Sequence, residues 1–520
     1  MAIQKIKLHN FKKFETLEIN CNEELNVLIG DNEAGKSTIL QAIDLVLSGS
    51  RNKVESIGLS SLFSKQTIKD FFTDKQYENL PKLFIEIYLT EQNNEFLNGK
   101  NNSETRICDG LKLVFEPDDE ASKDIKEILS QSDDNFPFEY YTIKFYTFAE
   151  QPYSGYKKYV QHLFIDSSQI NNEYATREYI KSLYNSLLDG KEKNKHFNEY
   201  RRSKDDYVEK VLKDVNDKLE SEKFVVQTNS KSNLEADLNI SDNDGITIDN
   251  KGKGQQCFIK TKFALEVKAG LRELDVILLE EPENHLSHLN MKKLIKMIQT
   301  THNKQIFITT HNSLISSRLD LKTSILLNSN SNQIMRLNNL ENDTAKFFMK
   351  APDNNILEYV LSKKVILVEG DAEYILMEAL YKNVTKEELV DSDIHIISVG
   401  GTSFKRYLDI SKILQIKTAV IRDNDGDYEQ NITDRYNDYD GVYIKVFADS
   451  DNSRSTFEIC IYQDNKALCD ELFTTPKRTL TIQEYMLKNK ADVAFELLDK
   501  KANEISVPTY IQKAIEWIKE

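Results

Sequence analysis

Apolar residues along the 520-residue chain follow two rhythms, the alternation of strands and the three-to-four spacing of helices. Ile3, Ile6, Leu8 and Phe11 mix with polar neighbours as a half-buried strand does. Leu25-Asn-Val-Leu-Ile-Gly30 is a short apolar run closing on glycine, the mark of a buried strand. The spacing predicts a helix over 38–47 and a strand over 83–89. From about 93 to 135, polar interruptions predict loop and short strands. From about 173 to 221 the pattern is helical and highly charged, with Leu183 and Leu187, then Val208, Val211, Val215 and Leu219, at helical spacing. A polar strip over 229–250 precedes a strand at 275–279, a helix at 291–299 and a strand at 305–309. The last third reads strand at 364–368, helix at 372–381, strand at 394–399, helix at 403–414 and strand at 417–421. Strands alternating with helices predict a mainly parallel sheet, with ligands at the C-terminal ends of its strands.

Composition narrows the class. The length predicts two to four domains, and 40% hydrophobic with 29% charged residues is a globular mixture. No run approaches the roughly 20 apolar residues of a membrane span, and the start lacks the apolar core of a signal peptide. Cys21, Cys108, Cys257, Cys460 and Cys469 are too dispersed for a zinc knuckle or a disulfide framework, so a reducing cytoplasm is expected. The formal net charge is −16. Residues 351–520 hold 21 Lys+Arg against 31 Asp+Glu, so the acidic excess concentrates there. A generally basic nucleic-acid coat is excluded. Any engagement of DNA is expected to need divalent metal and local Lys/Arg tracks.

Gly30-Asp-Asn32-Glu-Ala-Gly35-Lys36-Ser37 joins a strand to a helix and is a complete P-loop. Its glycines let backbone N–H groups curl around phosphates, Lys36 reaches the β/γ oxygens, and Ser37 offers its hydroxyl to Mg²⁺. Asn32, Gly35, Lys36, Ser37 and Thr38 are the candidate nucleotide-binding residues. A second acidic strand end, Val276-Ile-Leu-Leu-Glu280-Glu281-Pro-Glu-Asn-His-Leu, completes the chemistry. Its first acid, Glu280, would share the metal with Ser37. Glu281 would orient and deprotonate water. His311, after Gln305-Ile-Phe-Ile-Thr-Thr, would contact the γ-phosphate.

These motifs, with Asn10-Phe11 after the first strand, resemble an ABC-type ATPase head of the SMC and DNA-repair group. The usual Asp-Glu strand end is Glu280-Glu281 here, which keeps the charge. The resemblance implies two heads sandwiching two nucleotides. It makes Gly252-Lys-Gly254-Gln-Gln the signature candidate, in place of Ser-Gly-Gly, and Gln169 the candidate glutamine that senses Mg²⁺.

The last third carries a different constellation. Glu369-Gly-Asp-Ala-Glu373 follows an apolar strand, and Asp423-Asn-Asp425-Gly-Asp427 ends another. Clustered carboxylates repel, and hard divalent cations resolve the conflict. Two such ions would activate water and stabilise the leaving oxygen in phosphodiester cleavage. With Val399-Gly400-Gly401 between them, these motifs resemble the Toprim domain of topoisomerases, primases and OLD-family nucleases. The resemblance assigns metals to Glu369, Asp423 and Asp425; Glu373, one helical turn after Glu369, is a further candidate ligand by its spacing. It adds Glu458 (Ser-Thr-Phe-Glu) as a later carboxylate and Lys490 as a catalytic lysine neutralising charge on the phosphate; Ser398 and Gly401 would shape the site.

An ABC head followed by a Toprim domain resembles the OLD (overcoming lysogenization defect) family, which includes the nuclease subunit of the Gabija system. The implied fold is an α/β multidomain chain: an ABC-type P-loop ATPase with a helical insertion, then a Rossmann-like Toprim domain with a helical C-terminal extension. The implied parts are 1–170 and 229–350 for the ATPase, 171–228 for a helical dimerisation insert, and 351–520 for the Toprim domain. The implied function is an ATP-binding, divalent-metal-dependent DNA endonuclease in anti-phage defence. Its cofactors would be ATP and Mg²⁺ or Mn²⁺, two ions at the Toprim site and one at the P-loop. DNA, a homodimer or homotetramer, and a helicase-like or reverse-transcriptase protein encoded nearby are the implied partners; a membrane is not. The alternative is an ATP-dependent sensor or scaffold whose Toprim domain binds nucleic acid or a partner without cutting, against which the intact carboxylates count.

Overall fold

The alternation at the start becomes a hairpin in the computed structural model: β1 (Ile3–Phe11) and β2 (Phe14–Asn20) pair antiparallel, Leu8 opposite Leu17. The structure describes the chain except residues 132–134, 156–157, 168–179, 182, 186, 221, 228–232, 242–243, 267–273, 313–314, 316–317, 328–333, 352–354, 401–403 and 475–479. The described chain divides into two units: Met1–His311 with Leu327–Ile334, and Asn312–Leu326 with Met335–Glu520.

In the first unit, β3 (Leu25–Gly30) leads into α1 (Lys36–Ser48). β4 (Leu83–Leu89), β5 (Asn98–Gly99), β6 (Cys108–Pro117) and β7 (Tyr141–Thr147) follow. They extend the hairpin into an antiparallel sheet of order β2-β1-β4-β6-β5, with β7 also on β6. The expectation of loop and short strands over 93–135 is corrected here. β6 is ten residues long, and a helix runs over Ser122–Leu129. Leu111, Leu113 and Phe115 alternate inward, but Asp109, Gly110 and Lys112 interrupt the apolar run and mask it.

β8 (His162–Asp166), α2 (Gly190–Lys210), α3 (Lys253–Glu266), β9 (Val276–Glu280), α4 (His288–Gln299) and β10 (Gln305–Thr310) complete the phosphate-binding half. β8, β9, β10 and β3 lie side by side and parallel, with Asp166 opposite Glu280 and Glu280 opposite Thr309. The largely apolar, buried runs of β3, β9 and β10 are those of strands covered on both faces, while β8, at the end of the sheet, alternates. α2 begins at a capping box on Asp189 and Glu192 and ends at Lys210. Val211, Val215 and Leu219, expected on one helix face, fall beyond that end and are exposed, with Val215 in a separate short helix over Lys213–Asn216.

Two short strands, β11 (Ser324–Leu327) and β12 (Ile334–Arg336), precede the second sheet-and-helix series. That series is β13 (Lys364–Val368), α5 (Asp371–Thr385), β14 (Ile394–Ser398), α6 (Phe404–Leu414), β15 (Lys417–Ile421) and β16 (Ile444–Phe447). The sheet order is β14-β13-β15-β16, all parallel, as the alternating pattern requires. α7 (Phe457–Asp464), α8 (Lys490–Lys501) and α9 (Thr509–Lys519) add a helical layer. Met377 and Leu380 of α5, Leu497 of α8 and Ile515 of α9 share one buried cluster with Ile366 and Ala419 of the sheet. Among the described residues no helix is long and apolar enough to cross a membrane.

Candidate functional site

Each unit gathers expected residues at the C-terminal ends of its parallel strands. In the first, the chain leaves β3 at Gly30 and wraps into α1. Gly35 sits at φ 97°, and a Cβ there would strike Phe14 Cζ at 2.4 Å, so only glycine closes the loop against the β1–β2 hairpin. Lys36, 6% exposed, donates from Nζ to the carbonyls of Gly30 (2.6 Å) and Asp31 (2.9 Å). Burial lowers its pKa, with Glu281 and Asp31 opposing. A cavity of about 300 Å³ opens beside it, lined by Asn32, Gly35, Ser37 and Thr38, and by Glu281, Lys12 and Lys13. Loop amides, a helix N-terminus and buried cationic character suit a polyphosphate.

Lys12 and Lys13 were not expected there. They form the tight corner between β1 and β2, with Lys12 at φ 51°. Burial lowers the Lys12 pKa and Glu280 opposes it. The available signal was two adjacent lysines in a short turn between apolar strands, Phe11-Lys-Lys-Phe14.

The acidic strand end faces this loop. Burial raises the Glu280 pKa, the Ser37 hydroxyl donates to its carboxylate and lowers it, and Asp166 and Glu281 repel. Glu281 stands at φ 43°, its N–H held by Thr309 O at 3.1 Å. Its Oε1 meets His311 Nδ1 at 3.2 Å, and its Oε2 accepts from Asn284 Nδ2 at 3.0 Å. Gly254, in the signature candidate, opens α3 where a Cβ would collide with His285 O at 2.0 Å. The candidate therefore packs directly on the turn that carries Glu281. Gln169 lies outside the described residues, as does Gly401 of the other unit.

In the second unit the carboxylates come from neighbouring strand ends and two helices. Glu369 follows β13, and Glu373, 6% exposed, sits in the first turn of α5. Asp423, 9% exposed, follows β15, and its Oδ1 accepts from Phe457 N at 2.7 Å. One oxygen of Asp423 thus closes the N-terminus of α7. The same bond sets Glu458, the next residue, beside it. Glu458 is 3% exposed, and Lys490 Nζ, at the start of α8, pairs with its Oε2 at 3.0 Å. Asp425 is at the rim, half-exposed at φ 51°, with Oδ2 3.4 Å from Arg422 Nη2. Arg422 is a further residue the sequence reading missed. It is buried, donates to Tyr436 Oη at 2.6 Å, and offsets the Glu369 charge. Its signal was a cation directly before Asp-x-Asp at an apolar strand end.

Glu369 Oε2 and Glu458 Oε1 are buried without a hydrogen-bond partner, a costly state for a carboxylate unless a cation reaches it. The donors are all oxygen, which hard divalent cations take. Among the described residues, no group of three His, Cys, Asp or Glu side chains is already drawn in around a metal position. The fit rests on donor chemistry and burial rather than on a preformed cage.

Burial, then repulsion from Glu373, Glu458 and Glu369, pushes Asp423 up to about 8. Burial pushes Glu373 up to about 7, and Glu369 rises for the same first reason. Carboxyl groups raised in the folded state stabilise it while protonated. That contribution is full below their ordinary range and is lost as pH rises through 7 to 8. Without divalent ions, the melting temperature of this unit should fall by roughly 5 °C between pH 5 and pH 8. Mg²⁺ or Mn²⁺ should restore it at pH 8. Calorimetry at both pH values, with and without EDTA, checks this. A flat, metal-independent profile contradicts it.

Residues 1–315 match the AAA ATPase domain family, and residues 360–425 match the overcoming lysogenization defect protein-like TOPRIM domain. The chain is 22% identical to Endonuclease GajA of Bacillus cereus (strain HuB5-5), over 87% of this chain and 82% of that protein. The SMC head domain from Thermotoga maritima covers 63% of this chain and 94% of itself at 13% identity and a TM-score of 0.28. The C-terminal region of the Burkholderia pseudomallei OLD protein covers 31% of this chain and 98% of itself at 21% identity and a TM-score of 0.26. The chain belongs to the AAA ATPase domain family and joins that ATPase domain to a C-terminal TOPRIM domain of the overcoming lysogenization defect protein-like type.

Proposed function

We propose that the chain is an ATP-binding, divalent-metal-dependent DNA endonuclease in which the ATPase head governs a TOPRIM nuclease centre, and that it acts in defence against phage. One observation carries the nuclease reading: Glu369, Glu373, Asp423, Glu458 and Lys490 gather at the C-terminal ends of β13 and β15, with Glu369 Oε2 and Glu458 Oε1 buried and unpartnered. The likeness to an endonuclease over most of the chain supports it.

Glu369, Glu373, Asp423, Asp425 and Glu458 would hold two Mg²⁺ or Mn²⁺ ions, which supply Lewis-acid activation of water and neutralise the leaving oxygen. Lys490 stays charged beside Glu458, whose carboxylate and neighbouring acids raise its pKa against burial. It would meet the charge developing on the scissile phosphate. Asp423 also anchors α7, so the strand-end and helix carboxylates keep one register.

In the head, Lys36, Lys12 and Lys13 would bind the triphosphate with the loop amides of Asn32, Gly35 and Thr38. Ser37 and Glu280 would hold one divalent ion, and Gln169 would respond to it. Glu281, steadied by His311 and Asn284, is the group to accept a proton from attacking water. Residues 171–228 would serve as the dimerisation insert of a homodimer or homotetramer. A helicase-like or reverse-transcriptase protein encoded nearby would be the partner. Nicking of supercoiled plasmid by the purified full chain, with divalent ion and with EDTA, tests the reading.

A further inference from the structure

The turn after β9 carries a third acid that neither site uses. Glu283 is 5% exposed and reaches the end of β10. Its Oε1 accepts from Thr310 Oγ1 at 2.5 Å and from the His311 backbone N–H at 3.3 Å. Its Oε2 is buried with no hydrogen-bond partner. A carboxylate in that position costs desolvation that a neutral side chain of the same shape would avoid.

What the carboxylate holds is the strand end that presents His311. The His311 imidazole meets Glu281 Oε1, while Asn284, from the same turn as Glu283, holds Glu281 Oε2. Glu281 is therefore gripped from both sides. One grip is local to its own turn. The other comes from β10, and Glu283 is the tie between that turn and that strand. Glu283 does not line the nucleotide cavity.

We propose that Glu283 is a positioning residue for ATP hydrolysis: it fixes the Thr310–His311 strand end so that His311 holds Glu281 in its water-activating orientation. This rests on the reading of the head as an ATPase with Glu281 as its base. Loss of the tie lowers turnover more than nucleotide affinity, because the displaced groups belong to the acidic strand end, while the loop amides and Lys36 that would hold the phosphates stay in place.

The test is steady-state ATP hydrolysis by the full-length chain, with melting curves for every variant. Glu283→Ala should lower kcat roughly tenfold or more, with KM within about twofold, as small misplacements of catalytic groups do. Glu283→Gln keeps an acceptor oxygen for Thr310 and His311 and should recover most of kcat. Thr310→Val should reproduce part of the loss. The double variant Glu283→Ala/His311→Ala should be no slower than His311→Ala, because both remove the same restraint. Wild-type kcat in Glu283→Ala overturns the proposal. So do losses that multiply in the double variant. If Glu283→Ala does not fold, Glu283→Gln and Thr310→Val decide: a slow Gln variant beside an unaffected Val variant overturns it. A wild-type chain with no ATP turnover under any metal or DNA condition overturns the ATPase reading and the proposal together. Wild-type turnover with an unaffected Glu283→Ala overturns only the positioning role.

Discussion

Asp423→Asn will leave ATP turnover intact and lower DNA cleavage by roughly 100-fold or more, the scale expected when a charged ligand of catalytic metal is lost. The substitution isolates charge from structure. Asn keeps an oxygen to accept the Phe457 N–H, so α7 and Glu458 stay in place. What disappears is the one negative charge that Glu373, Glu458 and Glu369 all face. Removing it also relieves repulsion among buried carboxylates. The metal-free variant should therefore melt higher than wild type at pH 8, while gaining less from Mg²⁺ or Mn²⁺. Loss of cleavage with a raised metal-free melting temperature identifies a ligand. Loss of cleavage with a lowered one identifies a damaged fold. Gel-based plasmid cleavage and calorimetry on one preparation separate the two.

The second large effect lies in the head. Lys36→Ala will weaken ATP binding by roughly 100-fold or more, since the residue is the buried lysine of the cavity and on the proposed reading would hold the nucleotide both before and during the reaction. Glu281→Gln will bind ATP like wild type and turn it over roughly 100-fold more slowly, as loss of a general base does. Equilibrium binding of a fluorescent ATP analogue and phosphate release read these directly. DNA cleavage in the pair then sorts the role of nucleotide. If bound ATP alone sets the nuclease state, Glu281→Gln resembles wild type with saturating ATP, and Lys36→Ala resembles wild type without ATP. If hydrolysis sets it, the two variants resemble each other.

The parts of the fold legible in the sequence share one physical property. β3, β9, β10, β13 and β15 are covered on both faces, so burial writes itself as a mostly apolar run that breaks off at a glycine (β3), an acid (β9, β13) or another polar residue (β10, β15). β6 escaped because Asp109, Gly110 and Lys112 sit within a strand whose inward set is only Leu111, Leu113 and Phe115. The spacing of Val211, Val215 and Leu219 suggested one helical face, open to a dimerisation insert or to an ordinary solvated helix pair. The helix ends at Lys210, and periodicity cannot say whether anything covers a stripe. Whereas Glu373 and Glu458 sit on helices, Glu280, Glu281, Glu369, Asp423 and Asp425 announced themselves at strand ends, where a parallel sheet collects ligands. Their supports did not. The Phe457 N–H on Asp423, Arg422 beside Asp425, and the Lys12–Lys13 corner over the P-loop are contacts across long stretches of chain. Spacing within a motif carries no trace of them.

The net charge of −16 now has a local meaning. Part of the acidic excess over 351–520 is a buried carboxylate set that protons or divalent ions must neutralise. DNA would approach those strand ends only after such neutralisation, and because protons and divalent ions compete for the same oxygens, metal-dependent cleavage should rise with pH as these carboxyl groups lose their protons.

Supercoiled plasmid incubated with the purified full chain tests the central claim most directly. Each reaction receives Mg²⁺, Mn²⁺ or EDTA at pH 8, with and without ATP. The account predicts nicked or linear product in at least one nucleotide condition with metal, none with EDTA, and none from Asp423→Asn. Plasmid that stays supercoiled under every metal and nucleotide condition, or cleavage that persists in EDTA, would contradict it.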